Sequence, residues 1–222
     1  MNILILHGWG QNSTLWADFC KKLYDYKPLA FDLPGFGNEP LVSSEWGIGN
    51  YADWVIEKIK KQKERNIILV GHSFGGKIAA EIAIKCPELV KKLILVAAPI
   101  IRKPSIGIRI KIALLKIAKK ILFNKSYNIL LSSEYKEAKK NGLDKIFKNS
   151  VEYDRTDEIS KIKAPVLIVW GKNDETAPIA IGKRMHSLIK NSKLEIVSGG
   201  HNLHLENPYI LFGVIKKFIA QA

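Results

Sequence analysis

The feature that most limits what this chain can fold into is the hexapeptide Gly71-His72-Ser73-Phe74-Gly75-Gly76. It follows the apolar run Ile67 to Val70 and opens a segment, Gly76 to Lys85, in which Ile78, Ala79, Ile82 and Ala83 recur at helical spacing. A Gly-x-Ser-x-Gly between a strand and a helix makes a tight, strained turn. Small residues at 71 and 75 let strand and helix approach, and the serine oxygen projects from the sheet. The next N–H, on Phe74, then sits at a helix start, where it can face a developing oxyanion. As a bare pattern the pentapeptide is common; the strand before it and the helix after it give it meaning.

Such a turn belongs to a parallel sheet with crossover helices, and the rest of the chain has that alternation. Six short apolar runs, Asn2 to Leu6, Pro28 to Phe31, Asn66 to Val70, Lys91 to Val96, Pro165 to Trp170 and Leu194 to Val197, are separated by longer amphipathic stretches. Helices are predicted over Trp46 to Lys63 and over Tyr209 to Ala220, the latter introduced by Pro208. A chain of 222 residues, 47% of them hydrophobic, suffices for one catalytic domain with a substantial core. No internal repeat is visible.

From about Ile100 to Lys161 the alternation breaks, because the stretch is too long for one crossover and holds no good strand. It is predicted to be a helical insertion. Its most unusual part, Ile106 to Phe123, is apolar over much of its circumference, with Arg109, Lys116 and Lys120 on one face. Between Ile100 and Lys125 there are eight Lys or Arg and no acidic residue. This pattern fits a cap helix whose apolar face covers a site and whose lysines face water. The same basic, amphipathic helix could also lie on an anionic membrane surface.

The net charge of +14 invites a nucleic-acid reading, which the kind of basic residue opposes. Only five of the 35 basic residues are arginine, whereas phosphate and base recognition favours the bidentate guanidinium, and no nucleic-acid motif accompanies the charge. A solvated basic surface is expected. Cys20 and Cys86 stand 66 positions apart, without the close spacing of a metal or redox motif, so both are read as reduced thiols and no metal is expected. No stretch reaches the roughly 18 apolar residues of a membrane span. Nor does the N-terminal sequence have the build of a secretory signal, so a cytoplasmic location is expected.

A serine hydroxyl at its ordinary pKa needs a base. Of the five histidines, His72 lies within the turn and should point away from the serine, His7 follows the first strand, and His186 lies in a predicted helix; each is read as structural. His201, in Gly199-Gly200-His201, follows the strand Leu194 to Val197, and a loop at a strand's C-terminal end can reach the site. His204, three residues on, is the alternative. The acid that orients the base should fall between serine and histidine in chain order. Asp174, in Gly171-Lys172-Asn173-Asp174-Glu175, follows an apolar strand and fills that place, with Glu175 as its neighbouring alternative. Asp32 precedes the serine and leads into Leu33-Pro34-Gly35-Phe36-Gly37, which suits a turn. A second oxyanion donor should come from the loop His7-Gly8-Trp9-Gly10, with the Trp9 N–H as partner of the Phe74 N–H.

On these motifs, spread over nearly the whole chain, the sequence resembles the α/β-hydrolase superfamily and, within it, the pimeloyl-acyl-carrier-protein methyl ester carboxylesterase group. By that resemblance Ser73, Asp174 and His201 match the family's triad and Trp9 and Phe74 its oxyanion donors, while residues 100–158 match its cap and residues 1–99 and 159–222 its core. The two strands that usually precede the oxyanion loop have no counterpart, so a six-stranded parallel sheet in the order 2-1-3-4-5-6 is expected, with strand 2 as a short edge that Pro28 protects from pairing. The cap is short and strongly basic, so the family's carrier contacts cannot be transferred residue by residue. The expected activity is hydrolysis of a small-molecule or acyl ester through an acyl-enzyme, without a cofactor. An acidic acyl carrier or an anionic lipid surface would be attracted to the basic cap. Alternatives are a thioesterase or carbon–carbon hydrolase on the same scaffold, or a ligand-binding or membrane-surface protein without turnover. Serine at 73 argues against the carboxylate-nucleophile dehalogenases and epoxide hydrolases of the superfamily.

Overall fold

A computed structural model of the chain describes residues 2–102 and 132–221. The helix expected over Ile106 to Phe123, with Arg109, Lys116 and Lys120, lies outside the described residues. In chain order the main elements are β1 (Ile3–Leu6), α1 (Ala17–Lys22), β2 (Pro28–Ala30), α2 (Ile48–Lys61), β3 (Ile67–His72), α3 (Ser73–Lys85), β4 (Val90–Val96), α4 (Ser132–Lys140), α5 (Asp144–Glu152), β5 (Val166–Gly171), α6 (Ile179–Leu188), β6 (Ser192–Val197), α7 (Leu203–Glu206) and α8 (Pro208–Ala220).

The six strands form one parallel sheet in the order β2-β1-β3-β4-β5-β6. The four inner strands are covered on both faces, and their side chains alternate between two cores. Leu4, Leu6, Leu69, Leu95, Ile168 and Trp170 point into one core, beneath α2, α3 and α6. Ile3, Ile5, Val70, Val96, Leu167 and Val169 point into the other, beneath α1 and α8. At one edge, β2 has three residues and, among the described residues, pairs only with β1.

Two predicted boundaries move for identifiable reasons. β3 continues two residues past Val70, because Gly71 pairs with Leu6 and Leu95 and His72 pairs with Val96; α3 consequently begins at Ser73 rather than at Gly76. α2 begins at Ile48 rather than at Trp46, where the Gly47 N–H donates to Asn50 Oδ1 at 3.0 Å.

α4 and α5 lie over the α2–α3 side, with Ala138, Leu143, Ile146 and Phe147 buried in that core. Polar contacts fasten the segment. The Lys77 ammonium on α3 donates to the Ser150 carbonyl at 2.7 Å, and Glu81 accepts from Arg155 Nε and Nη2 and from the Tyr153 hydroxyl at 2.7 to 2.9 Å. Burial pushes the Lys77 ammonium down to about 8, reinforced by nearby Arg102.

Candidate active site

The parallel sheet brings the C-terminal ends of β1, β3, β5 and β6 to one edge, and each delivers one loop to the site. The β3–α3 turn is the most constrained. Ser73 has φ of 47°, in the left-handed region that a non-glycine residue adopts only when its surroundings impose it. What imposes it is close approach. A Cβ on Gly75 would lie 2.3 Å from the Leu6 carbonyl oxygen, and the Gly75 N–H donates to the His7 carbonyl at 3.1 Å. Strand, turn and β1 loop are thus in backbone contact.

Ser73, His201 and Asp174 lie in one line. His201 Nε2 is 3.0 Å from Ser73 Oγ, and His201 Nδ1 is 2.8 Å from Asp174 Oδ2. The Asp174 side chain is fully buried, and its other oxygen accepts from the N–H groups of Thr176 and Ala177 at 2.9 and 2.8 Å. Its orientation is therefore fixed. A carboxylate only accepts, so the His201 proton is assigned to Nδ1, which leaves Nε2 as an acceptor towards the serine hydroxyl.

Trp9 is half-buried and packs edge-on against Phe36, Phe74 and Phe147, with ring centroids 5.1 to 5.3 Å apart. This places the β1 loop against the turn and brings α5 over both. Phe74 is the second residue of α3, where an N–H has no acceptor within the helix.

The other residues weighed from sequence fall elsewhere. His204 is buried and stacked on Trp16, with ring centroids 4.4 Å apart and planes 5° from parallel, and neither of its nitrogens has a hydrogen-bond partner among the described residues. Burial, with a smaller contribution from His201, holds its pKa down at about 4. Glu175 is exposed. His7 donates from Nδ1 to the Gly8 carbonyl at 2.8 Å and accepts the Leu33 N–H at 3.0 Å. Asp32 serves a turn, accepting the N–H groups of Ser13 and Asn38 at 2.7 and 2.8 Å, and His186 is paired with Ser192 at the surface.

Sequence reasoning missed the residues that hold the His201 loop. Glu206 accepts from the N–H groups of Gly200 and Asn202, and Asn207 Nδ2 donates to the Ser198 carbonyl at 2.7 Å. Gln11 and His72 also reach this loop, by contacts to Asn202 and to the His201 carbonyl. The one available signal was the acid–amide pair Glu206-Asn207 directly before the proline of the last helix. Among the described residues, no group of three or more His, Cys, Asp or Glu is arranged to hold a metal, and no helix is long and apolar enough to cross a membrane.

Comparison with known proteins matches residues 3–212 to a family model described as the alpha/beta hydrolase family. Among curated relatives, the pimeloyl-[acyl-carrier protein] methyl ester esterase of Pseudoalteromonas atlantica is 29% identical, the match covering 88% of this chain and 84% of the relative. Its namesake from Wigglesworthia glossinidia brevipalpis is also 29% identical, over 99% of this chain and 93% of the relative. An esterase structure from Exiguobacterium antarcticum superposes with a TM-score of 0.79 at 21% identity, covering all of this chain and 92% of the other. The enol-lactonase from Burkholderia xenovorans gives a TM-score of 0.79 at 17% identity, covering 99% and 91%.

Proposed function

The chain belongs to the alpha/beta hydrolase family, and from that premise we propose that it is a serine carboxylesterase that cleaves carboxylic esters through an acyl-enzyme. Ser73 is the nucleophile, His201 the base and Asp174 the residue that orients it. The observation that carries the reading is the unbroken line from buried Asp174 through His201 to Ser73 Oγ, with contacts of 2.8 and 3.0 Å.

The chemistry follows from these positions. As Ser73 Oγ attacks the ester carbonyl carbon, its proton passes to His201 Nε2, and the imidazolium is stabilised by the Asp174 carboxylate. The N–H groups of Trp9 and Phe74 receive the oxyanion of the tetrahedral intermediate. Collapse expels the alcohol, which takes its proton from Nε2. Water then attacks the acyl-enzyme with His201 again as base, releasing the acid and restoring Ser73.

The proposal also divides the chain into a core of residues 1–99 and 159–222 and a cap of residues 100–158. Supporting this division, α5 lays Phe147 against Trp9, so an acyl chain would meet an aromatic and aliphatic wall there. Two relatives are named for a methyl ester on a carrier-bound acyl group. The eight basic residues between 100 and 125 would attract an acidic carrier or an anionic lipid surface.

The test is hydrolysis of p-nitrophenyl esters of graded acyl length by the wild-type protein and by Ser73→Ala. Turnover that falls by about 10⁴-fold or more in the variant, with its far-ultraviolet circular dichroism unchanged, is expected. Equal turnover by the two proteins would refute the assignment, and binding without turnover in either would favour a ligand-binding protein.

A further inference from the structure

The four site loops form two pairs, each joined by backbone. On one side the β3 turn is tied to the β1 loop by the Gly75 N–H to the His7 carbonyl. On the other side the β5 loop is tied to the β6 loop, with the N–H groups of Lys172 and Asn173 donating to the carbonyls of Val197 and Gly199 at 2.8 and 2.9 Å. Between the pairs lies β4, so the nucleophile and its base stand on strands that are not neighbours. The Ser73–His201 distance therefore depends on whatever spans this seam.

Among the described residues, two side chains from the β1 and β3 side reach across it with hydrogen bonds, apart from the Ser73–His201 pair. Gln11 Oε1 accepts the Gly8 N–H at 3.1 Å, while Gln11 Nε2 donates to Asn202 Oδ1 at 3.0 Å, one residue beyond the base. A backbone N–H can only donate, so the Gly8 contact fixes which way the Gln11 amide faces. His72, next to the nucleophile, is buried, and its Nε2 lies 3.0 Å from the His201 carbonyl, with Nδ1 3.2 Å from Gln11 Oε1. Both of these neighbours are acceptors. A neutral ring has one N–H to give, and the shorter contact assigns it to Nε2 and the His201 carbonyl. The charged ring is disfavoured: burial foremost, then His204 and His201, with His7 also near, hold the His72 pKa well below its ordinary value.

We propose that Gln11 and His72 are positioning residues that strap the His201 loop to the oxyanion loop and the nucleophile turn, setting the Ser73–His201 distance across the β4 seam. Neither touches the reacting atoms. This inference rests on the reading of Ser73 and His201 as nucleophile and base, and part of its test is independent of activity.

The activity-independent part is ¹⁵N NMR of histidine-labelled protein. His72 is expected in the Nε2–H tautomer and His201 in the Nδ1–H tautomer, and an Nδ1–H tautomer at His72 would overturn the strap to His201. The kinetic part compares Gln11→Leu, Asn202→Ala and the double variant on p-nitrophenyl butyrate. Gln11→Leu should lower kcat about tenfold to fiftyfold, with KM within about twofold, because misplacing a base costs rate and leaves substrate binding intact. The double variant should be no slower than Gln11→Leu alone, since both changes cut the same bridge. Multiplying losses, or a Gln11→Leu kcat within twofold of wild type, would overturn the proposal. Failure of the catalytic reading would show separately, as a wild-type protein no faster than Ser73→Ala.

Discussion

The Ser73 turn and the His201 loop hold the two halves of one hydrogen-bonded line, yet they are held in different ways. At the turn, backbone meets backbone: Gly75 lies against the carbonyls of Leu6 and His7, and Ser73 is pressed into a left-handed conformation within six residues of sequence. The histidine loop meets the β5 loop by backbone at Gly199, but it is held to the rest of the site by side chains, namely Glu206 and Asn207 from just beyond it and Gln11 and His72 from 191 and 129 positions away. Backbone contacts tolerate no added atom, whereas side-chain contacts can be weakened one at a time. The difference predicts that substitutions at the turn act as all or none and that substitutions at the loop act by degrees.

The largest effect should come from Gly75→Ala. Its Cβ would sit 2.3 Å from the Leu6 oxygen, a strand backbone atom that cannot yield without moving β1. A loss of about 4 kcal/mol or more in urea unfolding, or failure to accumulate folded protein, is expected. If Gly75→Ala folded with near-wild-type stability, the contrast with the loop would collapse.

Next in size is the acid response of the histidine side. His204 is neutral in the folded protein, with a pKa of about 4 against an ordinary 6.5. Between those values the unfolded chain binds more protons, so stability is fully present above pH 6.5 and is lost as pH falls towards 4. The shift corresponds to about 2 to 3 kcal/mol by pH 4.5. His204→Phe keeps the stacking on Trp16 without the titration, so its urea midpoint should fall less between pH 7 and pH 4.5. His72 and His7 are shifted downwards too, and the variant should retain part of the acid sensitivity through them. Identical pH dependence in both proteins would remove His204 from the explanation.

Glu206→Gln leaves one carboxamide oxygen where two carboxylate oxygens served Gly200 and Asn202, so one of the two loop contacts is lost. About threefold to tenfold in kcat is expected, with little change in KM. The smallest effect belongs to Gly200→Ala, whose Cβ would meet the far end of the flexible Glu206 side chain at 3.0 Å. A stability change within about 1 kcal/mol, measured beside Gly75→Ala, sharpens the comparison. A larger loss at Gly200 than at Gly75 would reverse it.

The same contrast explains what was legible in the sequence. The turn announces itself because its constraints are local: glycines at fixed offsets, a β strand before and a helical period after. The alternation of apolar runs likewise carries the sheet, and Asp174 and His201, singled out by chain order, lie 2.8 Å apart. What the sequence conceals is whatever depends on contacts far along the chain. Nothing about Gln11 marks it as a neighbour of Asn202 until β1 and β6 stand in one sheet. From sequence His72 points away from Ser73; its ring in fact reaches the main chain of His201, a contact that no periodicity encodes. From sequence β3 stops at Val70, because Gly71 and His72 read as turn residues, but pairing with β4 carries the strand through His72, directly before Ser73.

The most direct measurement on the Ser73–His201–Asp174 line is intact-protein mass spectrometry after exposure to diisopropyl fluorophosphate, followed by peptide mapping. A single phosphoryl adduct on Ser73 is predicted. It should be absent from Ser73→Ala and should form at least about 10³-fold more slowly in His201→Ala, because nucleophile and base act as one unit. An unmodified wild-type mass, an adduct on another residue, or labelling of Ser73 at an undiminished rate without His201 would contradict the assignment.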